Sequence, residues 1–318
     1  CWFVPSQPPM KIHAIKTKFL ALSAVFFIAA CEHPNLSGDS AFVTTGTLEN
    51  RLINEASGLQ AGNDGLFFVH NDQKRDVFVI DETGRNLASF KLDGAKSSDW
   101  EDITRVPGEN GPLLVIADVG DNKSKRKDVD LYFFAEPTLD ELVENPEVIH
   151  RLEVRYEGGP RDVESVAYDP SSRSILFMSK RDIPPRLYSV PLDTALAEEK
   201  TVATFLAEVP GFRPPTKTDI LSSPKRGMWV SQPTGMDISK DGRMAAVITY
   251  RSLYLWSREA DESWAEAFQK EPLEIPGPPG THDEAVAFSA DGKSVYVTTE
   301  RRPAPIYRHD LEPAEAEE

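Results

Sequence analysis

Cysteine is nearly absent from this sequence. The 318 residues contain two, Cys1 and Cys31, and the signal-peptide cleavage predicted from the N-terminal pattern would leave only Cys31. An internal disulfide is therefore excluded in the processed chain, even in an oxidising compartment. The fold must be stabilised by a packed core instead.

Several familiar catalytic motifs are also missing. The sequence has no Gly-x-Ser-x-Gly, no His-Glu-x-x-His, no cysteine pair and no glycine-rich phosphate loop. Enzymes that depend on those motifs are excluded. An activity, if there is one, must come from another arrangement of side chains.

Basic residues are too few to balance the acidic ones. The chain has 35 Lys and Arg against 51 Asp and Glu, a formal net charge of −16, and residues 312–318 form an acidic tail. A surface of this sign repels nucleic acid and anionic lipid headgroups. We therefore expect no nucleic-acid partner, and we expect a monomer.

The N-terminal region is typical of a bacterial lipoprotein. Residues 1–9 are interpreted as an upstream, non-native extension, and residues 10–30 as a signal peptide with a basic start. Its apolar run, Phe19–Ala30, is too short to span a membrane. The run ends in Ile-Ala-Ala-Cys, a lipobox, so we predict that Cys31 is lipidated and that residues 31–46 are a tether. The alternative is an ordinary secretory signal.

Lipidation predicts a location in the bacterial cell envelope. Acyl chains on Cys31 would anchor the protein lastingly in a membrane. Glu32, rather than Asp, after the lipidated cysteine favours the outer membrane, on its periplasmic side or at the surface.

Residues 47–311 are predicted to form an all-β domain. Short apolar or alternating runs are separated by clusters of Gly, Pro, Asp and Asn, and five segments repeat a strand, a tight turn and a second strand. Units of this size with four strands each are typical of a β-propeller. We predict five blades, with the segment Ala41–Leu48 completing the last one. Six blades are the alternative if Phe205–Gly235 contains another, and a β-sandwich is the third possibility.

The residues that begin the five repeats all carry oxygen donors. On the propeller prediction they converge at one end of the central channel, with Asp99, Asp162 and Asp283 nearby. Three carboxylates that face one another are destabilising without a cation, and hard oxygen donors suit Ca²⁺. The alternative is that these side chains cap backbone groups where strands begin. The predicted calcium ligands are Ser57, Glu101, Glu164, Thr234 and Glu284.

The second strands end in a polar shell on the same face. Its cations would form a site for a small phosphorylated ligand, because guanidinium groups pair with phosphate oxygens. Ordinary salt bridges between loops are the alternative. Two carboxylates of the shell, Asp72 and Asp118, are the predicted catalytic proton acceptors. The predicted substrate-binding residues are Lys180, Arg181, Arg251 and Arg301.

The repeats resemble a known family. The order Ser, Glu, Glu, Thr, Glu at the repeat starts, with the stretches EASGLQ, LFFVHND, KSSDWEDITR and DVESVAYDPSSRSILFMSKR, resembles the calcium-activated nucleotidases (apyrases) over roughly residues 47–311. The chain also looks like bacterial propellers grouped with esterase-like phytases and SdiA-regulated proteins. The nucleotidase resemblance implies calcium at the five starting residues, and substrate at Asp72, Lys180 and Arg181. The chain departs from the family at His70–Lys74, where the nucleotidases carry a different stretch, and at Thr234, where they carry Ser.

Two functions follow from these features. The first is a calcium-dependent phosphohydrolase, in which Ca²⁺ polarises a phosphoryl oxygen and the cations stabilise developing charge. The second is a non-catalytic binding module of the cell envelope with a structural calcium ion. Propellers host both kinds of protein, so the predicted fold does not decide between them.

Overall fold

The computed structural model describes residues 42–141, 145–224, 227–278, 283–300 and 302–311. All of them lie in the larger of two units into which the chain divides, His33–Glu318. The predictions made for the signal peptide, Cys31, Arg301 and the acidic tail fall outside the described residues.

Strands dominate the described part of the chain, so the all-β prediction is confirmed. Twenty are present there, with short helices α1 (Leu192–Ala197), α2 (Lys217–Ser222) and α3 (Trp264–Ala267) and a 3-10 turn at Leu139–Glu141. None of the helices in these residues is long and apolar enough to cross a membrane. The strands are β1 (Val43–Thr47), β2 (Ala56–Ala61), β3 (Phe67–Asn71), β4 (Asp76–Ile80), β5 (Asn86–Lys91), β6 (Asp102–Gly108), β7 (Gly111–Asp118), β8 (Val129–Ala135), β9 (His150–Tyr156), β10 (Val163–Asp169), β11 (Ser174–Ser179), β12 (Arg186–Pro191), β13 (Lys200–Glu208), β14 (Pro233–Ile238), β15 (Met244–Thr249), β16 (Ser252–Ser257), β17 (Leu273–Pro276), β18 (Asp283–Phe288), β19 (Ser294–Thr299) and β20 (Pro305–Asp310).

The strands form consecutive antiparallel units of four. Three units are separate sheets, in the orders β2-β3-β4-β5, β14-β15-β16-β17 and β18-β19-β20-β1. The other two, β6-β7-β8-β9 and β10-β11-β12-β13, join through parallel pairing of β9 with β13 into one eight-stranded sheet. Each unit thus begins with one of the five strands that the repeat pattern predicted.

The first strand of each unit is buried far more than the last. Every residue of β2, β14 and β18 is buried, whereas the outer strand β9 alternates between buried and exposed positions. A strand covered on both faces needs small or apolar residues throughout, while a half-exposed strand needs them only at every second position. The sequence His-Arg-Leu-Glu-Val-Arg-Tyr of β9 follows this rule, and the sequence Ala-Ser-Gly-Leu-Gln-Ala of β2 follows it except at Gln60.

The five first strands contact one another in a closed cycle. In order, β2 contacts β6, β6 contacts β10, β10 contacts β14, β14 contacts β18, and β18 contacts β2. One apolar cluster joins the first and last units, with Leu59 and Val69 packing with Ala285 and Ile306. The cycle has two openings, one where the first strands begin and one where they end.

The N-terminal strand closes the last unit. β1 pairs antiparallel with β20, with Val43 opposite Arg308 and Thr47 opposite Pro305. This pairing confirms that the segment Ala41–Leu48 supplies the missing fourth strand. In the described residues between β13 and β14 the chain forms α2 and no further strand, so the six-blade alternative gains no support.

Candidate functional site

Four of the five predicted calcium ligands occupy the same unusual backbone position. The pairing of the first strand with the second skips one residue near the start of the unit, as in a β-bulge. A bulge redirects the side chain of its extra residue, and bulges recur next to functional sites. The fifth predicted ligand, Glu101, directly precedes β6 and donates its backbone N–H to Ala117. The skipped residues are Ser57, Glu164, Thr234 and Glu284.

The starts of the first strands surround a cavity of about 290 Å³, here called the acidic pocket. Its lining contains two cationic side chains, Lys180 and Arg181, together with Asn122, Trp229 and Tyr250. Carboxyl groups outnumber the cations threefold. They are Asp72, Asp99, Glu101, Glu164, Glu284 and Glu300.

A lysine of the protein already lies among these carboxylates. Lys180 forms a salt bridge with Glu164, and its Nζ donates to the Tyr250 hydroxyl at 2.9 Å. The two charged side chains are 5% and 6% exposed, so the pair is almost completely withdrawn from water. Burial by itself lowers the pKa of Lys180, but the attraction of Glu164 raises it overall, so the ammonium stays charged. Lys180, a predicted substrate-binding residue, thus lines the acidic pocket and is paired there with Glu164, one of the predicted calcium ligands.

The remaining carboxyl groups are too many for the two cations of the pocket to neutralise, so their protonated forms are favoured. Burial raises the pKa of Glu101 and Glu284 well above their ordinary range, and repulsion from Glu164 and Glu300 respectively adds to the shift. Burial also raises the pKa of Glu164 to about 7. Repulsion between the Glu284 and Glu300 carboxyl groups favours the protonated form of Glu284.

Two of the five predicted calcium ligands, Ser57 and Thr234, carry hydroxyl groups, and their hydrogen bonds reach the neighbouring first strand. Ser57 Oγ lies within hydrogen-bond distance of the Glu101 carbonyl, at 3.1 Å, and of the Glu101 carboxylate, at 3.3 Å; Thr234 Oγ1 donates to the Asp283 carbonyl at 2.9 Å. Neither residue lines the acidic pocket. Both hydroxyls therefore join one first strand to the next, which agrees with the alternative that these residues satisfy backbone groups.

The two predicted catalytic carboxylates differ in their surroundings. Asp118 is fully buried and accepts hydrogen bonds from Ser98 N–H, Asp99 N–H and Arg126 Nη1, so it holds a loop in place behind the pocket. Asp72 lines the pocket, and its Oδ1 is buried without a hydrogen-bond partner among the described residues. Burial raises the pKa of Asp72 to about 6. Of these two residues, Asp72 is the one placed to exchange a proton in the pocket.

The predicted cationic shell is largely engaged by protein groups. Arg181 donates to Asp162 and Asn122, and its guanidinium lies 4.8 Å from the centre of the Trp229 ring. Arg251 Nη2 donates to Asp219 of α2 at 2.8 Å and does not line the pocket. These contacts agree with the alternative of salt bridges between loops.

Trp229 is the pocket residue that the sequence reasoning missed. It follows α2 in the stretch Gly-Met-Trp-Val-Ser-Gln-Pro, where an aromatic residue interrupts a loop composition. The isolated aromatic residue in this loop stretch was the one sequence feature that could have indicated a role for Trp229. Its position over Arg181 depends on a contact between two units that are distant in sequence.

The comparisons with known proteins add no assignment. No protein-family model matches the chain, and no curated protein matches it. Across the described residues, no group of three or more His, Cys, Asp or Glu side chains is arranged to hold a metal ion. The calcium site and the family resemblance therefore stay predictions.

Proposed function

We propose that this chain is a lipid-anchored, five-bladed β-propeller of the bacterial cell envelope that binds Ca²⁺ in the acidic pocket. The five antiparallel units and the closed cycle of first strands support the propeller. The lipobox at Cys31 supports the anchor. The function best supported by the pocket is that of a calcium-dependent binding module.

The gathering of six carboxyl groups around one cavity that holds two cations carries the proposal. Glu284 and Glu300 repel each other there, and a divalent cation between carboxylates replaces that repulsion with attraction. Glu101 and Asp99 line the same pocket and add oxygen donors. These four carboxyl groups would hold the ion after drawing closer together, since no three of them in the described residues are already arranged around a metal position. Lys180 is paired with Glu164, so one of the two cations that line the pocket is already engaged.

A binding role is favoured over hydrolysis because the pocket offers little to a phosphate. Arg181 is engaged by Asp162 and Asn122, and Lys180 by Glu164. An anion would have to displace these partners or rely on the calcium ion. Bound calcium would instead neutralise the pocket and tie the starts of the first strands together.

A calcium-dependent phosphohydrolase is the second candidate, and the state of Asp72 favours it. Its pKa of about 6 lies near neutral pH, where a general base works best, and its Oδ1 has no hydrogen-bond partner among the described residues. Calcium, when bound, would polarise a phosphoryl oxygen. Asp72 would accept the proton of the attacking water, and Arg181 would orient the ester from its position on Trp229.

Calorimetric titration of the full chain with CaCl₂, and separately with MgCl₂, tests the calcium proposal. We expect one Ca²⁺ per chain, and a melting temperature that rises with calcium because a ligand at a hundredfold excess over its Kd stabilises by about 2.7 kcal/mol. Glu284→Gln should weaken binding about tenfold or more, because calcium affinity follows the charge of the ligands. Glu109→Gln, an exposed residue in the β6–β7 turn, is the matched control. Wild-type protein that shows neither binding heat nor a melting shift would refute the proposal.

The pH dependence of binding follows from the raised pKa values. Calcium must displace protons from its proposed ligands, because burial raises the pKa of Glu101 and Glu284 well above their ordinary range and also raises the pKa of Asp99. Affinity should therefore fall as the pH drops from 7.5 to 5.5, with proton release detected in buffers of different ionisation enthalpy. In the metal-free protein these groups should instead make the fold more stable as the pH falls, because the folded state binds their protons more tightly than the unfolded chain does.

Phosphate release decides between the two candidates. ATP, phytate and p-nitrophenyl phosphate would be incubated with the protein in calcium and in chelator. If the protein is a hydrolase, Asp72→Asn should lower turnover about a hundredfold or more, with calcium binding retained. Calcium binding without turnover on any of these substrates supports the binding module.

A further inference from the structure

A second cavity lies at the opposite opening of the first-strand cycle. It encloses about 470 Å³ and is lined by the residues at which the first strands end, including Ala61 of β2, Gly108 of β6 and Phe288 of β18. The acidic pocket is lined by residues at the starts of first strands, namely Glu101 directly before β6, Glu164 of β10 and Glu284 of β18. The two cavities therefore occupy opposite openings, and we call this one the distal pocket.

The walls of the distal pocket are apolar, unlike those of the acidic pocket. Val106, Ile238 and Phe288 are 1%, 6% and 3% exposed and line the cavity together with Pro170 and the half-buried Tyr168. Cavities of a few hundred Å³ with apolar walls and a small number of fixed polar groups are the usual form of a small-molecule site.

Two fixed polar groups lie in this apolar lining. Asp237 accepts hydrogen bonds from the backbone N–H groups of Ile238 and Phe288, both at 2.8 Å, so its carboxyl group is rigidly held between β14 and β18. Gln60 is 7% exposed, and its one hydrogen bond among the described residues is a 3.4 Å contact from Nε2 to the Ala61 carbonyl. A buried amide with such poor pairing is costly unless something else satisfies it.

The rim of the distal pocket carries an unpaired cation. Lys240 lines the cavity, is exposed, and forms no ion pair with any described residue. The other cation of the rim, Arg105, is paired with Glu136 and donates to Asn63. The chain as a whole repels anions, but an unpaired lysine beside an apolar cavity supplies a local positive charge that attracts an anionic group there.

We infer that the distal pocket binds a small amphiphilic organic anion. Its apolar or aromatic body would lie against Tyr168, Ile238 and Phe288. Its carboxylate, sulfonate or phosphate group would pair with Lys240. A hydrogen-bonding group at the other end would reach Gln60 and Asp237. This site is separate from the acidic pocket and does not depend on calcium.

The test uses 1-anilinonaphthalene-8-sulfonate, an aromatic sulfonate whose fluorescence rises in apolar sites, titrated into the folded full chain at low salt. We expect saturable binding at one site per chain, displaced by octanoate and not by octylammonium. Lys240→Glu should weaken binding about tenfold, because an attraction at an exposed position becomes a repulsion. Tyr168→Ala should weaken it about fivefold through loss of aromatic contact. Lys293→Glu is the matched control, since Lys293 is exposed on the β18–β19 turn and does not line the cavity.

Three results would overturn the inference. They are the absence of saturable binding by the wild type, equal affinity in wild type and Lys240→Glu, and equal weakening by Lys240→Glu and Lys293→Glu. Lys240 is exposed and makes no described side-chain contact, so Lys240→Glu should fold normally. Its melting curve, recorded beside that of the wild type, keeps this comparison valid even if Tyr168→Ala is unstable.

Discussion

At the scale of single residues, buried charged and titratable groups are the main feature of this protein. Lys180 and Glu164 form an ion pair that is almost fully withdrawn from water. Asp102 accepts backbone hydrogen bonds from Val166 and Met236, which belong to two other first strands. Removing one partner from such an arrangement leaves an uncompensated buried group, which costs more than the intact pair contributes.

Glu164→Gln should therefore destabilise the protein strongly. Loss of one partner from a buried ion pair costs about 3–5 kcal/mol, and we expect about 3 because Glu101 and Glu284 stay close to Lys180. Urea denaturation in chelator at pH 7.5 measures the change. The double variant Glu164→Gln/Lys180→Met should recover most of the loss, because it leaves no unpaired charge. Equal stability of the single and double variants would contradict this explanation.

His70 should make the fold sensitive to acid. It is fully buried, packs edge-on against Trp100, and burial lowers its pKa to about 4 from 6.5. The folded state thus binds fewer protons than the unfolded chain, and stability from this group is lost as the pH falls through 6.5 towards 4. The full shift corresponds to about 3 kcal/mol. His70→Gln should lose about that much less than wild type between pH 7.5 and 4, measured by urea denaturation, and identical pH profiles would exclude the effect.

At the scale of secondary structure, β1 joins the last unit to the first. It pairs with β20, and Thr47 N–H also donates to the Thr83 carbonyl in the β4–β5 turn of the first sheet at 3.1 Å. Without β1, one edge of β20 would be left unpaired, and exposed strand edges promote aggregation. The backbone of Gly46 lies so close to Thr83 that an added Cβ would be 1.9 Å from the Thr83 carbonyl oxygen.

Gly46→Val should loosen this closure. The new side chain cannot fit against the Thr83 backbone, and forcing extra methyl groups into a tight contact costs about 1–3 kcal/mol. We expect a lower melting temperature and more aggregate in size-exclusion chromatography after mild heating. Thr44→Val places a β-branched side chain at an exposed position of the same strand and is the control. If both variants melt alike, the close approach at Gly46 is unimportant.

At the scale of the whole molecule, the proposed anchor and the two pockets divide the protein into parts with separate tests. The acidic pocket and the distal pocket use different residues at opposite ends of the first strands. The anchor uses Cys31, which lies outside the described residues. Failure of one proposal therefore leaves the other two standing.

Cys31→Ser should release the protein from the membrane fraction. Acyl chains attached to this cysteine supply about 0.8 kcal/mol per buried methylene group, and serine cannot accept them in the same way. Fractionation of bacterial cells with a carbonate wash is the measurement, and Asn35→Ser, in the predicted tether, is the matched control because it leaves the lipidated cysteine intact. A Cys31→Ser protein that still sediments with membranes would refute the lipoprotein prediction.

The sequence by itself determined the all-β class, the order of the strands and the residues at which the first strands begin. These features are local: apolar runs define strands, and Gly and Asp mark the turns that follow at regular offsets, as at Gly242 and Gly292. The segment before Ser57 was also identified correctly as the strand that completes the last unit, because that unit lacked a fourth strand of its own.

Only the tertiary structure decided which of those starting residues face the acidic pocket. Glu101, Glu164 and Glu284 line it, whereas Ser57 and Thr234 donate to carbonyl groups of the neighbouring strand. A bulge arises from the register between two strands, so the direction of its side chain is not fixed by one strand alone.

The residues that pair with the cationic side chains were likewise determined by the tertiary structure. Arg251 is paired with Asp219, 32 residues away, and Lys180 donates to Tyr250, 70 residues away. Sequence spacing indicates that such charges lie on one face of the protein, but it does not identify the residue of opposite charge with which each one pairs. The position of Lys180 among the carboxyl groups of the acidic pocket depends on which side chains are buried together. That burial exists only in the folded chain.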